Sequence, residues 1–350
     1  MKIAVLVSGG VDSTVALRLL KDQGHEVTAF YLKIWLEDEL SYLGDCPWEE
    51  DLAFVRAVCE QAQVPLEVVS LQKEYFDYVV AYTIAQIKEG KTPNPDIFCN
   101  SQIKFGFFLQ KIDASFEKVA SGHYAQIEEN QGTYYLKMAP DPIKDQTYFL
   151  SNLNQKQLSR TLFPIGHLAK THVRELAVQY EVPNKDRKDS QGICFLGKLK
   201  FSDFINHYLG QTPGDMIEYE TGAKLGNHKG FWYHTIGQRQ GSGLAGGPWY
   251  VMAKDPVKNI VYFSRNYYAS DKVRDSFTVH SCNWIAGKRP EKKALRVKIR
   301  HGKMIYDCDV VFDSDATAQV KLTQQDQGLA SGQFAVFYDG EYCIGAGIIT

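Results

Sequence analysis

Lys2-Ile3-Ala4-Val5-Leu6-Val7-Ser8-Gly9-Gly10-Val11-Asp12-Ser13 decides how this chain folds. The apolar run at its start reads as a buried strand. Residues 13–21 (STVALRLLK) have the spacing of a helix, with Gly24 as its stop. A glycine pair between strand and helix lets backbone N–H groups approach phosphate oxygens, and the helix N-terminus adds a favourable partial charge. Ser8 and Ser13 can donate hydroxyl hydrogen bonds, and Asp12 could hold Mg2+ on a departing pyrophosphate. The loop lacks the Gly-Lys-Ser/Thr ending of a Walker P-loop. The plain alternative is a tight turn with an Asp-Ser cap, formed for folding reasons alone. The whole hexapeptide on the first strand favours the phosphate reading.

Outward from the loop, strand and helix patterns alternate. Strands are predicted at 26–32, 66–70 and 118–121, and helices at 49–62, 75–89, 101–111, 154–158 and 170–180. This order predicts an α/β fold, with a parallel sheet covered by helices on both faces and a first domain over 1–204. After one last helix at 201–209, glycines, prolines and short β-type runs indicate a small β-rich central domain over 205–274. Regular strands at 294–300, 306–312, 317–322, 333–338 and 342–346 predict a C-terminal β-barrel over 275–350. Gly241-Ser242-Gly243-Leu244-Ala245-Gly246 fits the dinucleotide pattern literally. Gly247-Pro248 then stands where a helix should begin, so the stretch reads as a flexible loop.

A chain of 350 residues implies two or three domains, and a hydrophobic fraction of 44% is that of a globular protein. No apolar run is long enough to span a bilayer, and the start lacks the parts of a signal peptide. A cytoplasmic protein with no membrane partner is expected. Seven scattered cysteines do not suggest a secreted disulfide framework, and the absence of CxxC and HExxH speaks against a structural zinc. The net charge of −2 is not that of a dedicated nucleic-acid binder, so any such contact must come from local patches. One candidate is Lys288, Arg289, Lys292, Lys293, Arg296, Lys298, Arg300 and Lys303. Taken alone, it reads more readily as a solvated strand edge protected by lysines than as a nucleic-acid contact.

Cys59, Cys282, Cys308 and Cys343 lie in apolar patterns and read as small buried hydrophobes. Cys99 follows Pro93-Asn94-Pro95-Asp96, a rigid turn, and precedes a helical run near Ser101. A thiol near a helix N-terminus has more thiolate, and Asp96 could act there as acid or base. Cys194 follows a charged stretch whose Lys185, Arg187 and Lys188 would favour thiolate. Cys46 also stands in a polar loop. Spacing alone leaves catalytic and structural roles open for these thiols. An activating loop with two thiols suggests that a group is adenylated and then attacked by sulfur.

The loop resembles the PP-loop of the ATP pyrophosphatases, which split ATP between the α and β phosphates. End to end, the chain resembles the bacterial tRNA-specific 2-thiouridylase (MnmA/TrmU) family. The motifs are Ser8 to Ser13, Thr92-Pro-Asn-Pro-Asp96 with Cys99-Asn100, Gly122-His123-Tyr124, Lys144-Asp145-Gln146 with Tyr148-Phe149-Leu150, Asp189-Ser-Gln-Gly-Ile-Cys-Phe195, and His234-Thr-Ile-Gly-Gln-Arg239. The resemblance implies ATP and Mg2+ as cofactors and adenylation of the C2 oxygen of wobble uridine 34. A persulfide on Cys194, loaded by a sulfur carrier or cysteine desulfurase, then displaces AMP. Cys99 is implied as the resolving nucleophile, leaving a transient Cys99–Cys194 disulfide. Leu6, Val7, Ser8, Gly9, Gly10, Val11, Asp12, Ser13, Leu32 and Gly122 match ATP-binding positions. Asn94, Pro95 and Asp96 match the segment that meets the target base. His123, Lys144, Asp145, Gln146, Arg300, His301 and Gln333 match tRNA contacts, with glutamate, glutamine and lysine tRNAs as the implied acceptors. Leu6-Val7 and Leu32 depart mildly from the family pattern, and residues 38–48 diverge most, so Cys46 takes no role. The alternatives are another PP-loop adenylator (an amidating synthetase or a tRNA lysidine synthetase) and a non-enzymatic nucleotide sensor. Neither employs the cysteine pair.

Overall fold

The computed structural model describes residues 1–34, 48–188, 200–272 and 274–350. Cys46 and Cys194 lie outside the described residues. The opening strand β1 (Lys2–Leu6) lies at the centre of a parallel sheet with β2 (Glu26–Lys33), β3 (Leu66–Ser70), β4 (Lys118–Ala120) and a short β7 (Thr161–Leu162), in the order β3-β2-β1-β4-β7. Ile3, Ala4 and Val5 are fully buried, as a strand covered on both faces requires. Helix α1 (Val11–Asp22) and helix α2 (Trp48–Ala62) pack on the sheet through Leu17, Leu20, Leu52, Val55 and Cys59. Helix α3 spans 72–88 and helix α4 spans 95–111, each with a π-helical stretch inside it.

The predicted helix at 101–111 begins six residues earlier. Pro95 occupies its first turn, where its fixed φ suits a helix and its missing N–H costs nothing. The Pro-Asn-Pro run, read as a turn, is therefore the start of α4.

A hairpin that the pattern reading missed, β5 (Ala125–Asn130) and β6 (Thr133–Met138), follows β4. Its turn is made by Gln131 and Gly132, both at positive φ (52° and 78°). The signal was present as alternating residues either side of Gln-Gly. The hairpin leaves the first sheet and joins the C-terminal one.

The central unit is a four-stranded sheet of β8 (Gly214–Glu218), β9 (Lys224–His228), β10 (Tyr250–Asp255) and β11 (Ile260–Ser264), around Met216, Phe231, Trp249, Val251, Val261 and Phe263. The stretch Gly241 to Gly246 is irregular, with all three glycines at positive φ, as expected of a loop.

The C-terminal strands β12 (Arg274–Trp284), β13 (Ala294–Lys298), β14 (Tyr306–Phe312), β15 (Ala318–Asp326), β16 (Phe334–Asp339) and β17 (Tyr342–Ile349) form an antiparallel barrel. It is closed by pairing of β12 with both β15 and β17. Strand β6 adds to β17 through Tyr342–Lys137 and Cys343–Leu136. One hydrophobic core accordingly runs from Phe30, Tyr75 and Ile97 of the first unit to Phe334, Tyr338 and Ile348 of the barrel. Among the described residues no helix is long and apolar enough to cross a membrane.

Candidate active site

The loop after β1 is held from three sides. Ser13 Oγ donates to Gly10 O at 3.0 Å and accepts from the Ser8 N–H at 3.2 Å. Gly9 takes φ +76°, and a Cβ there would come within 2.8 Å of the Asp51 carbonyl. Its own carbonyl accepts from Asn184 Nδ2 at 2.8 Å and Arg187 Nη1 at 3.0 Å, while Arg187 is ion-paired with Asp51. Gly122 closes the fourth side: a Cβ on it would stand 2.6 Å from Ser13 N. Only a glycine lets the turn after β4 lie against the start of α1. The N-cap residue Gly10 has no side chain to cap that helix, so the first N–H groups face the loop. Leu32, at the end of β2, is partly buried against the core.

Asp12 receives two hydrogen bonds on one oxygen, from Lys170 Nζ at 2.6 Å and from the Tyr124 hydroxyl at 2.8 Å. Both fall on Oδ1. No contact to Oδ2 is found among the described residues, so that oxygen suits a hard cation. Glycine N–H groups, a helix N-terminus and a half-exposed carboxylate together fit a magnesium nucleotide.

Tyr124 leads away from the loop. Its N–H donates to Gln146 Oε1 and its carbonyl accepts from the Gln146 N–H, both at 2.9 Å. The residues after Gln146 turn toward the barrel. Tyr148 is fully buried; its hydroxyl donates to Phe334 O at 3.1 Å and lies 3.4 Å from Gln333 Oε1, with the Asn94 side chain beside it. Burial raises its pKa above the ordinary value, so it stays neutral. His301 packs 4.5 Å from Phe149 and 6.0 Å from Tyr148. Burial and the Lys298 charge lower the His301 pKa, against the opposing pull of Asp145 and Asp96. The Thr92 N–H donates to Ser331 O at 2.8 Å, and a Cβ on Gly332 would touch Lys91 Cβ at 2.9 Å. The structure therefore brings Asn94, Asp96, Gln333 and His301 together, although they span 94 to 333.

Arg300, half exposed, grips Asp326 through two bonds of 3.0 and 2.6 Å. Burial would raise the Asp326 pKa, but Arg300 and Tyr306 hold it below its ordinary value. Lys144 is partly exposed near the same joint. His123 is half-buried between Phe105 and Phe163, with Nδ1 2.7 Å from Ser121 Oγ. Burial, then Lys104, holds its pKa well below the ordinary value, so the ring is neutral.

Two placements correct the expectations. Asp145 was expected to contact tRNA, but its side chain is 0% exposed. It is ion-paired with Lys298 at 2.9 Å and bonded by Thr147 Oγ1 at 2.9 Å. No carboxylate surface is left for a polyanion. Cys99 was expected in a polar turn, yet it is fully buried, the first residue of the π-helical stretch Cys99–Phe107. Its neighbour Asn100 donates from Nδ2 to Phe149 O at 3.1 Å, so this helix turn is tied to the same joint. Irregular turns of this kind recur where a helix must re-aim side chains for function. Cys59, Cys308 and Cys343 are buried; Cys282, expected to be so, is only half-buried. Burial pushes the Cys59 and Cys282 thiols up to about 11 and Cys308 to about 12. None of these three carries appreciable thiolate at neutral pH.

Asp51, Tyr124, Lys170, Asn184, Arg187 and Lys298 were not assigned these contacts from the sequence. Their partners lie 112 to 178 residues away for Tyr124, Lys170 and the two loop clamps, so no local pattern could join them.

The chain matches families described as tRNA methyl transferase HUP domain over residues 1–198, tRNA methyl transferase PRC-barrel domain over 202–265, and aminomethyltransferase beta-barrel domain over 274–349. It is 44% identical over 355 residues to a tRNA-specific 2-thiouridylase MnmA of Parabacteroides distasonis, covering 100% of this chain and 99% of the relative. Identity is 45% over 355 residues to one from Bacteroides fragilis, covering 100% of both chains. It is 42% over 360 residues to one from Porphyromonas gingivalis, covering 100% of this chain and 99% of the relative.

Proposed function

The chain belongs to the tRNA-specific 2-thiouridylase family and is an ATP-using sulfur transferase acting on tRNA, and from that premise we propose how its residues divide the work. Backbone N–H groups of Gly9 and Gly10, the start of α1 and Ser8 hold the phosphates of ATP. Asp12 Oδ2 holds Mg2+, and Lys170 on Oδ1 balances the carboxylate. ATP supplies the adenylyl group that converts the C2 oxygen of wobble uridine 34 into a leaving group. Uridine is extruded from the anticodon stack toward Asn94, Pro95 and Asp96, with His123, Lys144, Gln146, Arg300, His301 and Gln333 on the surrounding tRNA. Asp145 positions this surface from beneath.

The terminal sulfur of a Cys194 persulfide attacks C2, and AMP departs with the bonding pair. The Cys99 thiolate then attacks the Cys194 sulfur. The S–S bond breaks toward the base as 2-thiouridine, and a Cys99–Cys194 disulfide remains for a thiol reductant to reopen. The persulfide comes from a cysteine desulfurase or a sulfur-relay protein, the acceptors are glutamate, glutamine and lysine tRNAs, and the setting is the cytoplasm.

The observation that supports this reading most is the path from Asp12 through Tyr124 to Gln146 and the turn after it, whose Phe149 carbonyl accepts from Asn100 Nδ2. It ties the activating loop to the start of the helix that carries Asp96 and Cys99. An amidating or lysidine-forming adenylator takes ammonia or an amine as nucleophile and gives these cysteines no part. Cys194→Ser separates the readings: 2-thiouridine is lost and ATP binding is kept. Retained 2-thiouridine with physiological sulfur donors overturns the persulfide role. Nucleoside mass spectrometry of tRNA from cells lacking the protein tests the function itself; an unchanged 2-thiouridine level, with no second copy present, overturns it.

A further inference from the structure

The motif His234 to Arg239 has no part in the chemistry above, yet it builds a defined surface. The Gly237 N–H donates to Val251 O at 2.9 Å and the Val251 N–H donates to Gln238 O at 3.0 Å, welding the turn to β10. Gln238 fixes the turn internally, accepting from Thr235 N at 2.9 Å and donating to Gln240 O at 2.8 Å. Gly237 takes φ +82°, and a Cβ there would meet the Tyr267 hydroxyl at 2.8 Å. The turn thus rests on Tyr267 and presents Arg239 to solvent, with no ion-pair partner for it among the described residues.

Three tyrosines continue this face. Tyr250 stacks on Tyr267 at 4.8 Å and 18°. Tyr268 stands edge-on to both, at 5.6 and 5.2 Å. The Arg239 charge acts on its hydroxyl. Tyr250 and Tyr267 pack the turn, but Tyr268 is 69% exposed, far more than a packing role needs. Tyr267 also lies within the field of Arg300, Arg274 and Asp326 of the barrel. An exposed ring held by two stacked neighbours loses little freedom on binding, and an unpaired guanidinium beside it suits a phosphate.

We propose that Tyr268 and Arg239 of the central unit form a second tRNA-binding surface, which stacks a base or ribose and neutralises a phosphate outside the anticodon arm. The inference rests on the tRNA-thiolation reading and extends it from the wobble base to the body of the substrate. Affinity for an unmodified full-length glutamate tRNA and for its isolated anticodon stem-loop, titrated over a range of KCl, tests it. Tyr268→Ala is expected to weaken full-length tRNA binding at least fivefold, the low end of what a stacked base contributes. Tyr268→Phe, which keeps the ring, stays near the unaltered enzyme. Arg239→Gln weakens binding and reduces the slope of log affinity against log salt by about one. Stem-loop affinity is unchanged in all three.

Full-length tRNA bound by Tyr268→Ala and Arg239→Gln with unaltered affinity and slope overturns the proposal. So does an equal loss on the stem-loop, or unaltered tRNA affinity with impaired sulfur delivery from a protein donor. Failure of the underlying reading looks different: the unaltered enzyme itself then neither binds tRNA nor forms 2-thiouridine.

Discussion

Lys298 shows how a single residue can look basic in sequence and act as an internal clamp. Alternation along β13 sends Leu295 and Val297 into the barrel, and Lys298 emerges on the other face. There it is covered by the first unit and meets Asp145, with both side chains almost wholly removed from water. Such a pair contributes little relative to an apolar pair, but removing one partner leaves a bare buried charge. Asp145→Asn is expected to destabilise by about 3–5 kcal/mol, read as a lower urea midpoint. Asp145→Leu with Lys298→Met should recover most of the loss. Equal destabilisation by the double change would show that the hydrogen bonds Asp145 accepts from Thr147 and Ala139, not the charge pair, are what the site demands. His234 is the second residue-scale case. It is buried in the central unit beside His228, with ring centroids 5.6 Å apart. Burial, then His228 and Lys254, lowers its pKa from 6.5 to about 4. As pH falls below 6.5 the unfolded chain takes up this proton and the folded one does not. Stability is complete above 6.5 and declines until about 4, by about 3 kcal/mol in all. Thermal melts followed by tryptophan emission should show this decline, and His234→Gln should lessen it, leaving the part that belongs to His228, whose pKa burial also lowers.

At the scale of elements, the contact of the turn after β4 with α1 sets the nucleotide loop. The strand-glycine-helix pattern made the loop legible from the sequence, because each signal is local. The need for glycine at 122 is not local, since it comes from the backbone of Ser13 lying against it. Gly122→Ala must push the start of α1 away and misalign its N–H groups. ATP affinity should fall at least tenfold by calorimetry, with far-ultraviolet circular dichroism unchanged. Unchanged affinity would show that these N–H groups do not hold the phosphates. Helix α4 carries the other lesson. Its start was displaced in the sequence reading because proline is both a turn former and a favoured first-turn residue. What settles the matter is the packing of Ile97 and Phe98, the latter 5.6 Å from Phe334. That contact turns Cys99 inward.

The whole molecule couples its ends. The barrel takes β6 onto β17 and shares a core with the first unit, and Tyr148 and Asp145 bond across the same boundary. The first unit and the barrel should therefore unfold in one calorimetric transition, with Asp145→Asn shifting it as a whole. Two separated transitions, only one of them shifted, would show the boundary to be weak. The central unit has its own core around Val251 and Phe263, so the acid sensitivity of His234 belongs to that unit. By itself the sequence determined the α/β order, the glycine loop, the barrel and the motif residues, because strand period, helix period and glycine turns are written in neighbours. Only the tertiary structure decided that Asp145 is covered, that Cys99 faces the core, and that a hairpin of the first unit extends the barrel sheet. It also decided that Arg187 and Asn184 clamp the loop. Burial and pairing at these places depend on backbone brought together from more than a hundred residues apart, and no local pattern encodes which distant surface will arrive.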